Sequence, residues 1–393
     1  MKIWESDGPA TLHFTKEDVP SSKNGILGAV VEDEPLVSIL WDEMRKDNHV
    51  ELISPATLKH ISIPPKTGGK KDEPVQISYQ EGETNVDATA DLLIAADGAN
   101  SFVRRSLGIF PTNSLGYGRK AVTCTVELES NINGIAFQRF QPNGPLALLP
   151  VWDENAGGKK FANIVWSTSP EEALALQNVS ESEFIERINN LLQTGPLNGP
   201  SLASEDTKSF IPFVNSLESL LQSANAGLSL SGWNERQRGF MIPPKISAVV
   251  GGRFSFDLNL MHARNYIGPR VALVGDAAHT VHPMAGQGLN LGMGDAESLV
   301  KNLKFIFESG MGTKGNAGVE YALKQYESER QREVLATMTG IQFIHEAFST
   351  TFAPAIHLRS LGMNLVNLAN PVRKHLAQVA TGDTKIFGER NLI

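Results

Sequence analysis

The hydrophobic and polar positions in the first part of the chain follow two different periods. Apolar side chains at helical spacing predict a helix within residues 36–44, whereas Val50–Ile53 and Val75–Tyr79 are short β-prone runs. Residues 64–74 are polar and rich in proline, glycine and lysine, which predicts a loop that joins two exposed strands. This part of the chain therefore has the pattern of an α/β fold.

The pattern changes in the middle of the chain. Residues 121–166 contain several short strand-like runs separated by turn sequences such as 142–145, with no long helical run among them. We expect residues 170–225 to be helical or looped, residues 240–260 to return to strands, and the chain from Ser298 to be mostly helical. The sequence therefore predicts a second, sheet-rich domain.

Composition and charge limit the possible partners. The chain has 393 residues, 41% hydrophobic and 20% charged, as in ordinary globular proteins. A net charge of -8 gives no general attraction for nucleic acid, so no nucleic-acid partner is expected. The single cysteine, Cys124, excludes an internal disulfide and a cysteine-based zinc site, no metal site is predicted, and its apolar neighbours indicate a buried strand residue. No apolar run approaches the roughly 20 residues that cross a bilayer, and residues 1–7 show no targeting signal.

The first motif with chemical content is an apolar run, residues 92–96, that ends at Asp97 and Gly98. Such a run predicts a buried parallel strand that stops at a tight turn, and Ser101 can cap a helix that contains Arg104. Strand ends of this kind face the ligand crevice in open α/β sheets, where an acidic side chain beside an arginine can organise cofactor groups. Taken alone, the motif is better explained as a simple Asp-Gly turn with a helix cap.

A second motif strengthens the first. Residues 270–274 form another apolar run, which ends at Gly275 and Asp276. A carboxylate at this position can accept hydrogen bonds from sugar-like hydroxyls, and Pro283 stiffens the turn that follows.

The glycines after this turn predict a ring-binding surface. Gly286 and Gly288 allow a flat ring to lie against the backbone, and a helix that begins within residues 286–290 would direct free N–H groups and its positive dipole end at that ring. Reduced flavin is an anion, and such a helix end would stabilise its charge. The alternative is a loop of small residues that packs a helix on a strand.

Together the two motifs resemble the second and third FAD fingerprints of the class A flavoprotein monooxygenases, a group typified by para-hydroxybenzoate hydroxylase. Within that group the chain resembles the ubiquinone-biosynthesis hydroxylases, and it is most similar to their mitochondrial members. This finer resemblance rests on residues 138–150, 165–168, 282–294 and 326–330, and the whole resemblance covers roughly residues 25–382.

The resemblance implies an α/β fold plus a sheet-rich substrate domain, as in a para-hydroxybenzoate-hydroxylase-like FAD fold that is truncated at its N-terminus. Residues 1–115 and 268–345 would form a discontinuous, incomplete FAD-binding domain, residues 116–267 the substrate domain, and residues 346–393 a C-terminal helical segment. Three groups of residues would bind the cofactor: Asp97, Gly98 and Arg104 by contacts to FAD and pyridine nucleotide, Gly275 and Asp276 at the ribityl chain, and Pro283, Gly286, Gln287, Gly288, Leu289 and Asn290 around the isoalloxazine.

The resemblance also implies a reaction: FAD-dependent hydroxylation, with O2, of the aromatic ring of a polyprenylated 4-hydroxybenzoate-type intermediate in ubiquinone biosynthesis. A ferredoxin-type protein or NAD(P)H would donate electrons. The protein would associate peripherally with the matrix face of the mitochondrial inner membrane, within a ubiquinone-biosynthesis complex. No catalytic base is assigned; Tyr117, His262, His279 and His282 are candidates for a proton network, although taken singly each is better explained by a structural role.

The chain departs from the family pattern at its beginning. The family opens with a strand, a G-x-G-x-x-G turn and a helix that receive the pyrophosphate, and this chain starts downstream of them, so we expect a truncated isoform, an incorrect start or a fragment. The only G-x-G-x-x-G match, Gly310–Gly315, follows the helical run Leu299–Glu308 and is expected to be a flexible loop. The alternatives are a weakly flavin-binding or inactive subunit of the complex and another class A phenol hydroxylase.

Two smaller departures concern single residues. Ala95 stands where the family usually has glycine, which is tolerable if the backbone there is not at positive φ. Asp257 stands where a proline is common, and we expect it to loosen a flavin-facing loop.

Overall fold

The structure is a computed structural model that describes residues 1–19, 27–64, 73–151, 160–197, 240–310 and 316–381. The strands are β1 (Lys2–Glu5), β2 (Thr11–His13), β3 (Ala56–Ser62), β4 (Val75–Glu81), β5 (Thr84–Ala90), β6 (Leu93–Ala95), β7 (Pro111–Leu128), β8 (Phe137–Phe140), β9 (Leu146–Pro150), β10 (Phe161–Thr168), β11 (Ile246–Ala263), β12 (Ile267–Gly268), β13 (Val271–Leu273) and β14 (His279–Thr280). The helices are α1 (Asp33–Arg45), α2 (Phe102–Ser106), α3 (Pro170–Asn178), α4 (Glu181–Gln193), α5 (Gln287–Glu308), α6 (Asn316–Ser349), α7 (Ala353–Leu368) and α8 (Asn370–Thr381).

The chain forms two compact units. Unit 1 comprises residues 1–30, 118–258 and 342–393, and unit 2 comprises residues 31–117 and 259–341. Two of the boundaries between the units fall inside strands, one within β7 and one within β11, each of which has 18 residues.

Unit 1 is built on one sheet with the strand order β11-β7-β10-β9-β8-β1-β2. Alternate residues of β10 point into the core, so Ala162, Ile164 and Trp166 are buried. Helix α4 contributes Phe184, Ile188 and Leu192 at a spacing of four residues to the same core. Burial of each such side chain contributes about 1.5–3 kcal/mol. The sheet-rich character predicted for this part of the chain is confirmed, and Cys124 is the buried strand residue that we expected.

The two ends of the chain also belong to unit 1. Strand β1 pairs in parallel with β8, and β2 pairs with β1. Buried Glu5 accepts a hydrogen bond from Arg359 Nε at 2.8 Å, and Asp18 accepts one from Arg373 Nε at 2.8 Å. These contacts attach the C-terminal helices to the first strands. The compact units are therefore bounded differently from the predicted domains, which placed residue 1 in the α/β domain and gave residues 346–393 a segment of their own.

Unit 2 contains two small sheets. Strands β3, β4 and β5 form an antiparallel meander, and β13 pairs with β12 on one side and in parallel with β6 on the other. Tyr266, Leu273 and Tyr326 lie in a core that this second sheet shares with α5 and α6. The predicted α/β pattern is thus present, and the helix expected within residues 36–44 is α1, although none of its residues is buried.

Several local predictions were wrong. Val50–Ile53 is not a strand, because β3 begins only after Pro55, which has no N–H to donate to a ladder. Strand β7 is long rather than short, whereas β11 confirms the return to strands expected over residues 240–260. Ile94 of β6 is 49% exposed, so this strand is not buried on both faces.

Other local expectations can also be compared with the structure. The predicted helices within residues 170–197 are α3 and α4, while the rest of the 170–225 region lies outside the described residues. Most of the 64–74 loop and residues 311–315 of the G-x-G-x-x-G match lie outside them as well. Among the described helices, none combines the length and apolar character needed to cross a bilayer.

Candidate functional site

The two predicted motifs lie side by side at one edge of the sheet of unit 2 in which β6 and β13 pair in parallel. Leu273 of β13 is opposite Ala95 of β6, and the Val274 N–H donates to the Ala95 carbonyl at 2.9 Å. Because both strands run in the same direction, their carboxyl ends meet at this edge. Asp97 and Asp276 each follow a strand, as the sequence predicted, and the structure shows that the two strands are neighbours.

Arg104 joins the two motifs. Its guanidinium donates to the Ala277 carbonyl at 2.6 Å and to the Ala99 carbonyl at 2.6 Å. The side chain is largely buried, and charged hydrogen bonds of this kind contribute about 1.5–3 kcal/mol each. Arg104 thus fixes the distance between the turn after β6 and the turn after β13.

The turn after β6 has the local structure that its sequence predicts. Gly98 has a positive φ of 77°, and Ser101 caps α2 by accepting the Arg104 N–H at 2.9 Å. Asp97 Oδ2 also accepts a helix N–H, that of Val103, at 3.1 Å. Ala95 is not among the described non-glycine residues with positive φ, so alanine is tolerated there as expected.

Asp276 lies on a single 3-10 turn, Gly275–Ala277, directly after β13. Partial burial raises the pKa of its carboxyl above the usual value, and the nearby His279 opposes this shift. Within the part of the chain that the structure describes, no hydrogen bond occupies the Asp276 carboxylate. An acceptor at a strand end is therefore available to a ligand hydroxyl.

A second 3-10 turn, Pro283–Ala285, leads directly into α5. His282 Nδ1 accepts the Met284 N–H at 3.0 Å and so begins the 3-10 turn Pro283–Ala285. Gly286, at φ 60°, ends this turn and starts α5 without a side-chain cap. The first N–H groups of a helix have no partner inside the helix, so the first turn of α5 presents donors and a positive dipole end.

The glycines around this turn fall into two classes. Among the residues that the structure describes, a Cβ added at Gly98, Gly286 or Gly288 would meet no neighbouring atom within 4 Å. By contrast, a Cβ on Gly292 would lie 3.5 Å from the Gly275 Cα, and one on Gly294 would lie 2.9 Å from Arg330 Nη2. Close packing therefore explains Gly294, and the left-handed φ of 60° favours glycine at position 286, whereas neither reason applies to Gly288. The open glycines fit a flat ring, so the site suits a flavin.

A buried polar cluster under this site was missed by the sequence analysis. Asp295 of α5 is fully buried and contacts His279 Nε2 at 2.7 Å and Arg330 Nε at 2.8 Å. The available signal was helical spacing: Leu291, Asp295 and Leu299 occupy one buried face of α5. A carboxylate in the middle of an apolar stripe indicates a buried partner.

The candidate proton-network residues form two groups. The Tyr117 ring packs edge-on against His282, with ring centroids 4.9 Å apart. Tyr266 lies 5.3 Å from His262 and 5.7 Å from His279, again between centroids. Burial, helped by His279, lowers the pKa of His262, and burial raises the pKa of the Tyr266 phenol. The His262 imidazole and the Tyr266 phenol are therefore both favoured in their neutral forms.

One predicted loop is a strand instead. Asp257 lies in β11, and its carboxylate pairs with Lys120 of β7 at 2.8 Å. The expectation that Asp257 loosens a flavin-facing loop was therefore wrong, because the residue is held in a strand.

Comparisons with known proteins agree with this geometry. Residues 241–340 match the family described as FAD binding domain. The chain is 34% identical over 385 residues to the ubiquinone biosynthesis monooxygenase COQ6, mitochondrial, of Xenopus tropicalis, covering 97% of this chain and 75% of the relative. The human protein of the same name is 31% identical over 385 residues, with 97% and 75% covered.

Solved structures support the fold. The p-nitrophenol 4-monooxygenase PnpA from Pseudomonas putida DLL-E4 matches with a TM-score of 0.64 and 15% identity, over 97% of this chain and 80% of that chain. PqsL from Pseudomonas aeruginosa, described as a probable FAD-dependent monooxygenase, matches with a TM-score of 0.60 and 18% identity, over 92% and 80%. With its FAD-binding region and its similarity to the COQ6 proteins over nearly its whole length, the chain belongs to the family of ubiquinone biosynthesis monooxygenases.

Proposed function

We propose that this protein hydroxylates the aromatic ring of a polyprenylated 4-hydroxybenzoate-type phenol, with FAD as cofactor and O2 as oxidant. The observation that carries the proposal is the arrangement of adjacent strand ends, open glycines and the α5 N-terminus in unit 2. When bound, FAD supplies the activation of O2 that ring hydroxylation requires. The protein's own residues bind and orient it.

Each predicted site residue has a proposed role in that binding. Asp276 accepts hydrogen bonds from the ribityl hydroxyls, supported by its available carboxylate at a strand end. The segment from Pro283 to Asn290 borders the isoalloxazine, where the amides of the first turn of α5 stabilise negative charge. Gly275 and Gly98 form the left-handed turns. Arg104 and Asp97 act mainly by holding these turns together, because the Arg104 guanidinium donates to the Ala277 and Ala99 carbonyls and Asp97 Oδ2 accepts the Val103 N–H.

The test combines cofactor binding with turnover. The purified chain is titrated with FAD by flavin fluorescence, and then supplied with O2 and either a reduced ferredoxin or NAD(P)H as electron donor. We expect incorporation of one oxygen atom from labelled O2 into a prenylated 4-hydroxybenzoate, detected by mass spectrometry. Equal activity on phenols without a prenyl chain would favour a different class A phenol hydroxylase. Absence of FAD binding would favour a subunit that acts in the biosynthetic complex without its own flavin.

The proposed location is the matrix face of the mitochondrial inner membrane, within a ubiquinone-biosynthesis complex, in line with the mitochondrial relatives. Its structural support is a set of exposed apolar side chains on, and directly before, the C-terminal helices α7 and α8 of unit 1. We call this the C-terminal apolar set; it consists of Phe352, Leu358, Leu365, Val372 and Leu376. Residues 347–382 contain no aspartate or glutamate although the whole chain has a net charge of -8, so this segment does not repel an anionic membrane.

Vesicle binding tests this location. The chain is sedimented with phosphatidylcholine vesicles that contain or lack cardiolipin. We expect cardiolipin-dependent binding that Leu358→Glu and Leu365→Glu abolish, while Leu174→Glu, at an exposed leucine of α3, leaves it intact. Binding that survives both C-terminal substitutions would contradict the proposed role of the C-terminal apolar set.

A further inference from the structure

The Asp295 carboxylate is the meeting point of three elements of unit 2. Its Oδ2 accepts the Gly275 N–H at 2.8 Å and lies 2.7 Å from His279 Nε2, while its Oδ1 accepts Arg330 Nε at 2.8 Å. The donors come from the turn after β13, from β14 and from α6, whereas Asp295 itself lies on α5. Because Asp295 has no exposed surface, water does not compete for these contacts.

Two further contacts connect the turn after β13 to the N-terminal part of α5. Arg330 Nη2 donates to the Leu291 carbonyl at 3.1 Å, so the same guanidinium holds both Asp295 and the early part of α5. Gly275 and Gly292 also approach each other closely, since a Cβ added to Gly292 would come within 3.5 Å of the Gly275 Cα. The turn after β13 and the N-terminal part of α5 are therefore fixed with respect to each other.

We propose that Asp295 is a positioning residue for the flavin, which holds the Gly275–Asp276 turn at a fixed distance from the N-terminus of α5. The inference rests on the proposed function, because it assumes that Asp276 binds the ribityl chain and that α5 faces the ring. A ligand that contacts both places at once gains affinity when their spacing is set before it binds. Asp295 touches no ligand itself and acts through Gly275.

A purely structural role for Asp295 makes a different prediction. If the cluster only stabilises unit 2, its loss lowers FAD affinity independently of Asp276, and the two effects add in free energy. If Asp295 acts through the turn, removal of the Asp276 carboxylate also removes most of what Asp295 contributes. A double-mutant cycle separates these cases.

The experiment measures the FAD dissociation constant of the full chain and of Asp295→Asn, Asp276→Ala and the double variant. Asparagine keeps one acceptor oxygen and the shape of the side chain but loses the charge. We expect Asp295→Asn to weaken FAD binding by about tenfold. The double variant should bind only about two- to threefold more weakly than Asp276→Ala alone. Glu333→Gln is the matched control, because Glu333 also accepts a hydrogen bond from Arg330 but is partly exposed. The FAD affinity of this variant should stay within about twofold of that of the parent.

A second readout needs no cofactor. Hydrogen exchange at the Gly275 amide should be faster in Asp295→Asn by about tenfold or more, because its acceptor is weakened. Gly294→Ala offers an independent perturbation, since the new Cβ would displace Arg330 and leave Asp295 in place.

The outcomes separate the two proposals. Unchanged FAD affinity in Asp276→Ala would overturn the proposed flavin site and this inference with it. Weaker binding in Asp276→Ala, together with parent-like affinity or unchanged Gly275 exchange in Asp295→Asn, would overturn the inference about Asp295 alone. Fully additive losses in the double variant would also overturn it.

Discussion

Gly288 and Gly292 lie one turn apart on α5 and have different surroundings: a Cβ on Gly292 would meet the Gly275 Cα at 3.5 Å, whereas one on Gly288 would meet no described residue within 4 Å. The same helix therefore packs on its own unit at one glycine and leaves space at the other. That space is where the proposed isoalloxazine would approach the backbone.

Gly288→Val should obstruct the ring without harming the fold. The added side chain has room in the protein and occupies the space that a flat ring needs, so we expect FAD affinity to fall by more than about tenfold. Fluorescence titration measures this loss, and thermal unfolding checks the fold. Gly340→Val is the matched control, because Gly340 also lies in a helix, where an added Cβ has no neighbour within 4 Å in the part of the chain that the structure describes. Equal FAD binding by both variants would show that Gly288 does not face the ring.

Asp276→Ala should weaken FAD binding through loss of a charge-assisted hydrogen bond. Such a bond is worth about 1.5–3 kcal/mol, which corresponds to a loss of roughly ten- to a hundredfold in affinity. Because partial burial raises the pKa of this carboxyl, its charge is lost on acidification at a higher pH than for an ordinary aspartate. FAD affinity of the parent should therefore fall as the pH is lowered through that raised pKa, and Asp276→Ala should not show this step.

The raised pKa of Asp276 also predicts an effect on the stability of the fold: ionised Asp276 favours FAD binding but lowers the free energy of unfolding. A folded-state pKa above the unfolded value means that the ionised carboxylate destabilises the folded protein above that pKa. Asp276→Asn should therefore raise the unfolding temperature of the cofactor-free chain at neutral pH and not at strongly acidic pH. A lower unfolding temperature at neutral pH would contradict the raised pKa.

The local sequence pattern predicted where β6 and β13 end, because in each case an apolar run is followed at once by a glycine and an aspartate, which favour a turn. It could not predict what Arg104 binds, since its partner Ala277 is far away in sequence and is a backbone carbonyl, which any residue supplies. The Asp295–Arg330 pair is long-range in the same way. The place of the first strands was missed for a related reason: β1 depends on its pairing with β8, which no local period reveals.

Arg104→Lys should show that the two turns depend on one fork-shaped side chain. Lysine has a single nitrogen and cannot bind the Ala277 and Ala99 carbonyls in the present geometry, so at least one charged hydrogen bond worth about 1.5–3 kcal/mol is lost. We expect both a lower free energy of unfolding and weaker FAD binding. Arg105→Lys, at the exposed neighbouring position, should change neither by more than about 0.5 kcal/mol. A loss of stability without any loss of FAD affinity would limit Arg104 to a structural role.

Arg359→Ala tests whether the C-terminal helices are held on the first strand of unit 1. Arg359 donates to Glu5 at 2.8 Å and to Asp7 at 2.7 Å, and its removal leaves the fully buried Glu5 without its cation. Removal of one partner from a buried pair costs about 3–5 kcal/mol, so denaturant unfolding should show a loss of that size or detachment of α7 and α8. Arg187→Ala provides the control, because Arg187 pairs with Glu172 and Glu183 at the surface and should cost less than about 1 kcal/mol. Similar losses in the two variants would mean that the buried pair contributes no more than a surface one, and the attachment would then depend on apolar packing of α7 against β2 instead.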